Sequence, residues 1–249
     1  MQALVQWFWI PEWDIAAGRS SRQQLLAFAA SNLVVQRDGI EFSGPTTTVS
    51  HQDLTGKGWA VGALLRPAAV PFFTSNPGEL RDARLMIEAP GLRAEIVQAM
   101  GGAGSAGAAA PASAGSPATL AANREQAVAA FAQWLAETIP EPSEEALMAN
   151  AMADAIANRR EIVRSEDAAA LLRVSVRTLQ RLAEKYVGLS PSVLIRRRRL
   201  QEAAARVRTH PDVDLAAVAA EFGYADQAHL AHDFRRVLGI TPSSYRRDL

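Results

Sequence analysis

The stretches Ser175-Val-Arg-Thr-Leu179 through Gly188-Leu-Ser-Pro191, and Asp226-Gln-Ala-His-Leu230 through Gly239-Ile-Thr-Pro242, write one local pattern twice, 51 positions apart. A single offset puts Ser175 on Asp226, Leu179 on Leu230, Arg181 on His232, Gly188 on Gly239 and Pro191 on Pro242. Each copy has a side chain able to cap a helix, about three turns of helical spacing, a stopping glycine, and Ser/Thr-Pro to open the next helix. Two short helices presented alike imply a paired reader of DNA.

The helical faces agree with that reading. In the first copy Leu179 and Leu182, with Ala183 and Tyr186, face a core. Arg177, Gln180, Arg181 and Glu184 then form an outer stripe. In the second copy Leu230, Phe234, Val237 and Leu238 point inward, and His229, His232, Asp233 and Arg236 form the equivalent outer stripe. Arg can grip O6 and N7 of guanine, and Gln can grip N6 and N7 of adenine. A solvated helix face is the ordinary reading of any one such stripe. Two of them, each behind a short helix and a tight turn, favour DNA.

The preceding helices are legible too. Glu166–Leu172 follows Ser165, the expected N-cap, with acidic residues in its first turn where the helix dipole favours them. Leu215–Phe222 follows Asp212 and Asp214 and stops at Gly223. Each pair is a helix-turn-helix, in which a supporting helix presents a recognition helix at 176–186 or 227–238.

Arg177-Thr-Leu-Gln-Arg181, Gly188-Leu-Ser-Pro191, Gly223-Tyr-Ala-Asp-Gln227, Phe234-Arg235, Gly239-Ile-Thr-Pro242 and Tyr245-Arg246 together resemble the DNA-binding domain of the AraC/XylS family of bacterial transcription regulators. The resemblance covers roughly residues 144–247, and its ordered motifs are far more specific than a lone helix-turn-helix. It implies seven helices forming two helix-turn-helix units joined by a long helix at about Ser192–Arg208. It also implies base reading in successive major grooves, about one turn or ~34 Å apart. The implied DNA-binding residues are Ser175, Arg177, Thr178, Gln180 and Arg181, with Gln227, Ala228, His229, His232 and Arg236. Backbone amides at the two helix N-termini, with Ser175 nearby, are suited to phosphates. His232 stands where the family commonly has a longer cation, and Ala228 offers a methyl group alone, so the second helix is expected to discriminate less. RNA polymerase is the further partner that the family implies.

Charge divides the same way. The chain carries 26 basic and 26 acidic residues. Residues 159–249 hold 17 basic and 11 acidic, a net of +6, so residues 1–158 hold 9 and 15, a net of −6. A basic tail on an acidic head is the footprint of a DNA module joined to something else. The run Arg196–Arg199 invites a phosphate-clamp reading, but four consecutive helical residues fan around the cylinder, so only one or two can face one partner.

Cysteine is absent, which excludes disulfides, thiolate zinc sites and cysteine nucleophiles, and suits a reducing compartment. The apolar start Met1–Ile10 lacks a basic flank and is cut by Pro11, Glu12 and Asp14, so it reads as neither signal peptide nor membrane span. The expected location is cytoplasmic, at the nucleoid, with no membrane partner.

Gly101 through Pro117 is almost entirely Gly, Ala, Ser and Pro and reads as a flexible linker. Its Gly102-Ala-Gly104-Ser-Ala-Gly107 matches G-x-G-x-x-G, but no bulky amphipathic helix follows to hold a pyrophosphate. Leu120–Ile139 is then amphipathic, with Val128, Phe131, Trp134, Leu135 and Ile139 on one side, ended by Pro140 and Pro142. That stripe suits packing within the chain or a homodimer. Glu144–Arg160 is the expected first helix of the DNA domain.

Residues 1–100 differ in kind. Leu33–Gln36, Ile40–Phe42, Thr46–Ser50 and Gly58–Leu65 read as strands between glycine-bearing turns. Pro67–Phe73 and Pro77–Arg81 read as short helices or turns, and Pro90–Met100 as a helix. This head resembles the β-barrel-like sensor domains that precede the DNA domain in the same family. Trp7, Trp9 and Trp13, with Trp59, are candidates to line an effector pocket, against the plainer reading that they are core. One histidine, His51, in residues 1–158 argues against a histidine-rich metal site, and no serine sits in a nucleophile-elbow context, so no cofactor, metal or catalytic residue is expected.

The expected architecture is thus a two-domain α+β chain. It has a β-rich, barrel-like domain at 1–100, a linker at 101–118, a connecting helix at 119–142, and an all-α double helix-turn-helix domain at 143–249. The expected function is sequence-specific, effector-responsive transcription regulation. The alternatives are a regulator whose head is only an oligomerisation or protein-interaction module and, further off, a DNA-tethered enzyme.

Overall fold

The computed structural model describes residues 1–25, 27–101 and 117–247. Most of the expected linker, with its glycine pattern at 102–107, therefore lies outside the described residues.

The N-terminal region is built on one long, bent antiparallel ribbon. Strands β1 (Val5–Trp9), β2 (Glu12–Asp14) and β3 (Ser20–Leu25) run down one side. After β4 (Asn32–Val35) and β5 (Ile40–Ser43), strands β6 (Ser50–Thr55), β7 (Lys57–Trp59) and β8 (Val61–Leu65) run back along it. The pairs are β1 with β8, β2 with β7, and β3 with β6. Pro11 cannot donate to the ladder, so the ribbon bends there, and Ala60 N–H reaches Pro11 O at 3.1 Å.

With β9 (Arg84–Met86) the main sheet has the order β1-β8-β4-β5-β9. Among the described residues it stays open, with β1 and β9 as its edges. Every residue of β8 is buried, as expected of a strand covered on both faces. The covering elements are a 3-10 turn at Pro67–Ala69, α1 (Val70–Phe73), α2 (Pro90–Ala99) and α3 (Pro117–Thr138).

Sequence reading differs from the fold in several strands: β1, β2, β3 and β9 are not among those it expects, and β6 is displaced. Thr46–Ser50 is not a strand; the pairing segment begins at Ser50. Thr46 instead turns the chain, its N–H bonding Phe28 O at 2.8 Å and its Oγ1 accepting from Phe28 N at 2.6 Å. The amphipathic stripe on α3 packs within the chain: Phe131 and Leu135 are fully buried in the N-terminal core, with Ile139 just beyond the helix.

The C-terminal region is all helix: α4 (Glu144–Asn158), α5 (Ser165–Leu171), α6 (Val176–Tyr186), α7 (Pro191–Thr209), α8 (Leu215–Glu221), α9 (Gln227–Leu238) and α10 (Pro242–Arg247). It holds two cores. The first joins α4, α5, α6 and the start of α7; the second joins the end of α7 with α8, α9 and Tyr245 of α10. Helix α7 belongs to both, giving Leu194 and Ile195 to one and Leu200, Ala203 and Val207 to the other. The two units are therefore held by one rigid element rather than by a loop.

Candidate nucleic-acid interface

Local chemistry sets where each recognition helix begins. Ser175 caps α6, its Oγ accepting from Thr178 N at 3.0 Å, and Asp226 caps α9, its Oδ1 accepting from His229 N at 2.7 Å. The turn before each helix uses a left-handed residue, Arg173 at φ 55° in the first unit and Gly223 at φ 68° in the second. Helix α5 is capped differently from the sequence expectation. Ser165 is its first helical residue, and the Asp167 carboxylate reaches back to accept from Val163 N at 2.9 Å and Arg164 N at 2.8 Å.

Leu179, Leu182, Ala183 and Tyr186 turn inward on α6, as Leu230 and Phe234 do on α9. Ser175, Arg177, Gln180 and Arg181 are exposed, and Thr178 is half-buried against the Ser175 hydroxyl at 2.9 Å. Gln227, Ala228, His229, His232 and Arg236 are exposed on α9. Arg177 and Arg236 enter no ion pair among the described residues. Arg181 does: its guanidinium bonds Glu145 of α4, which also receives Lys185 Nζ at 2.5 Å and Tyr186 Oη at 3.1 Å. These donors, Lys185 first and then Arg181, hold the Glu145 carboxyl down to about 2.

Asp233 corrects the outer stripe drawn from spacing. It is 2% exposed and takes a two-pronged bond from Arg196 of α7, at 2.6 Å and 2.5 Å. All four arginines of the Arg196–Arg199 run bond partners within the protein, with Arg197 and Arg198 buried and Arg196 and Arg199 half-buried. Arg197 reaches the carbonyls of Ala27 and Thr46 in the N-terminal region. Arg198 reaches those of Ile156, Arg159 and Ile162. Arg199 reaches those of Phe222 and Gly223. Burial pushes the Arg197 guanidinium down to about 10, so it remains a cation at neutral pH.

The N-terminal region rests on both units. Arg81 Nη2 donates to Gly188 O at 3.0 Å just after α6, and Gln24 Nε2 donates to Leu238 O at 2.5 Å at the end of α9. Asn150 of α4, 4% exposed, bonds Ala3 O at 2.8 Å and Ala68 N at 2.9 Å. Arg66 pairs with Asp154 beside it. A cavity of about 150 Å³ lies in this seam, lined by Ser31, Leu65, Arg66, Ile156, Leu194 and Arg198 among others. Ser31 Oγ, Arg66 Nε and Arg198 Nε are buried there without hydrogen-bond partners; Arg198 Nε is 3.6 Å from Glu202 Oε2, an ion pair only.

The tryptophans do not gather around one cavity. Trp9 covers Gly62, where a Cβ would lie 2.1 Å from the ring, and Trp13 covers Gly58 in the same way at 2.3 Å. Trp59 is buried in the core, and Trp7 is 46% exposed on the edge strand β1. None of the four lines the seam cavity.

Comparison with known proteins agrees with this geometry. The family described as "Helix-turn-helix domain" matches residues 168–248, and a family described as "Domain of unknown function (DUF6597)" matches residues 1–86. The HTH-type transcriptional activator AarP of Providencia stuartii is 38% identical over 68 residues, 27% of this chain and 50% of that protein. The chain thus spans about half the length of this curated relative. Among solved structures, ToxT from Vibrio cholerae O395 covers 96% of this chain and 97% of its own, at 12% identity and a TM-score of 0.44. The same ToxT bound to (E)-4-(8-methylnaphthalen-1-yl)but-3-enoic acid gives 12% identity and 0.43.

Fold, caps and sequence match define the class: a double helix-turn-helix protein. Within that class, the chain is similar to the helix-turn-helix family over residues 168–248 and to AarP, behind a β-rich region that matches the DUF6597 family over residues 1–86. No helix among the described residues is long and apolar enough to cross a membrane.

Proposed function

We propose that this protein is a sequence-specific regulator of transcription that reads duplex DNA with α6 and α9 and is controlled through its N-terminal domain. The observation that carries the reading is the pairing itself: two capped helices, one repeat apart, each with an exposed polar face, fixed to one another by α7. Base contacts are assigned to Arg177, Gln180 and Arg181 on α6, and to Gln227, Ala228, His229 and His232 on α9. Ser175, Thr178 and Arg236 are assigned to the phosphates beside them.

Control from the head follows from contact. Residues of the N-terminal domain hold the C-terminal ends of both recognition helices, at Gly188 just after α6 and at Leu238, the last residue of α9, so a shift of that domain moves both. For an effector, the tryptophan-bearing edge around Trp7, Trp9, Trp13 and Trp59 is one proposed contact. The seam cavity is a second, favoured by three buried polar atoms without hydrogen-bond partners beside apolar walls, two of them on arginines, which suit a small carboxylate. A carboxylate that raises the melting temperature of the wild type but not of Arg66→Ala selects the cavity. Quenching of tryptophan emission that Trp7→Phe removes selects the edge. Contact with RNA polymerase and a homodimer through the head belong to the same proposal, in place of an enzymatic role; sedimentation of the full chain with and without DNA tests the dimer.

The decisive experiment is affinity selection of sheared genomic DNA by the full-length protein, beside an Arg177→Ala/Arg181→Ala variant. The expected result is a motif of two blocks about one helical turn apart, with the variant weakened at one block. Enrichment without any motif, equally salt-sensitive in both proteins, would overturn sequence-specific reading.

A further inference from the structure

Between the two helix-turn-helix units lies a cleft of about 240 Å³, well above the ~10–15 Å³ that one water needs. Its walls include Arg164 ahead of α5, Ser192, Arg196 and Arg199 of α7, Tyr224 in the second turn, and His229 in the first turn of α9. No acidic residue lines it. Arg196 is neutralised by Asp233 behind it. Arg199 is not, because its partners are two uncharged carbonyls, and Arg164 has no ion pair among the described residues. The cleft therefore carries two uncompensated positive charges.

Tyr224 supplies an independent sign. The residue is 5% exposed, and its hydroxyl makes no hydrogen bond of good geometry, lying beside the Asp233 carboxylate that Arg196 already holds. Its ring is fixed on two sides, by the Arg199 guanidinium 5.2 Å from the centroid and by the His229 ring set edge-on at 5.1 Å. A buried hydroxyl left unsatisfied costs free energy unless something enters to meet it.

We propose that this cleft seats one backbone phosphate of the bound duplex, between the two major-groove segments, with Arg164, Arg199 and the Tyr224 hydroxyl as its holders. The inference rests on the DNA-reading function proposed above. A duplex that presents successive major-groove segments to α6 and α9 has to carry a backbone past the element that joins them, and α7 with this cleft is that element. The contact is electrostatic and indifferent to base identity. It fixes the register of the protein on the DNA and adds affinity without specificity.

The test uses the full chain and the duplex recovered by selection, with single neutral methylphosphonates walked across the spacer between the two blocks. For the wild type, one position is expected to weaken binding roughly tenfold, the worth of one charge-assisted hydrogen bond. Arg164→Ala, a change at an exposed residue, is expected to be indifferent to that position alone, and to lower the dependence of log K on log salt by about 0.9. Tyr224→Phe, lacking a single oxygen, is expected to blunt the same position and no other. Equal losses for wild type and Arg164→Ala at every position, or an unchanged salt slope, overturn the phosphate seat while leaving DNA reading intact. Failure of the wild type to bind any duplex overturns the function itself, a different result.

Discussion

Gly188 and Gly239 occupy the same place in the two copies of the repeat, share a φ of 77°, and both lie against the N-terminal domain. The two contacts differ in stiffness. A Cβ on Gly188 would lie 2.5 Å from the Pro77 carbonyl carbon and 2.6 Å from Gly78 N, both backbone. A Cβ on Gly239 would lie 2.9 Å from Gln24 Nε2 and 3.0 Å from a Val49 methyl, both side-chain atoms. Each substitution to Ala carries the left-handed penalty of ~1–2 kcal/mol. Gly188→Ala must also push the 77–81 turn away, since backbone cannot yield as a glutamine tip can. Gly188→Ala is thus expected to lower the melting temperature more than Gly239→Ala, and to raise hydrogen exchange at residues 77–81. Equal melting temperatures would count against a rigid seat at Gly188.

The Arg196–Asp233 pair should respond asymmetrically. Asp233 is 2% exposed while the Arg196 side chain is 43% exposed, so only one partner can hydrate when the other is removed. Arg196→Ala strands a buried carboxylate and is expected to cost ~3–5 kcal/mol. Asp233→Ala leaves a guanidinium that reaches water, and should cost about 1–3 kcal/mol. Denaturant unfolding of both variants checks the order, and the double variant should recover part of the Arg196→Ala loss.

What the sequence made legible follows from locality. Helices α6 and α9 could be bounded because caps, apolar spacing and stop signals lie within a few residues of one another. Strands β3 and β6 carry no such signal: Ser-Ser-Arg-Gln-Gln-Leu and Ser-His-Gln-Asp-Leu-Thr are polar and mostly exposed, and they pair only because the ribbon continues outward from the buried β1 and β8. Asp233 was misplaced for a similar reason. Helical spacing puts it on the outer stripe, and only the arrival of Arg196 from α7 makes its burial tolerable. Asn150 and Arg197, which fasten the head to the helices, look like an ordinary helix residue and one of four arginines until the partner carbonyls are in view.

The two recognition-helix caps offer a matched comparison. Ser175→Ala and Asp226→Ala each remove an acceptor for an N-terminal amide and should cost ~0.5–2 kcal/mol. Ser175→Ala also frees the Thr178 hydroxyl, 2.9 Å away. Thermal unfolding reads the cost, and Ser175→Asp, which keeps the cap, is expected to restore stability while weakening DNA binding by setting a negative charge at the phosphate-facing helix end. Restored DNA affinity in Ser175→Asp would argue that no phosphate comes close.

Glu145 competes with DNA for Arg181. Its carboxylate binds Arg181 and Lys185 together, with side chains 58% and 45% exposed, so the cluster is worth only the ~0.2–1 kcal/mol typical of exposed pairs. The Lys185 and Arg181 bonds hold its pKa at about 2 in the folded protein against an ordinary 4.5. A depressed carboxyl stabilises the fold in full above about 4.5 and loses that contribution as pH falls toward about 2. Glu145→Gln should therefore lie below wild type in stability at pH 7, with the gap closing between about pH 4.5 and 2. Near neutral pH the same change removes a negative charge beside the reading face and releases two cations. Non-specific DNA affinity should rise, with a salt slope steeper by up to ~0.9 for each phosphate newly engaged. At the selected site, discrimination at the base read by Arg181 should fall, because its guanidinium is no longer held in one direction. An unchanged salt slope with unchanged discrimination would mean that Arg181 stays on α4 when DNA binds, and that Arg177 and Gln180 do the reading.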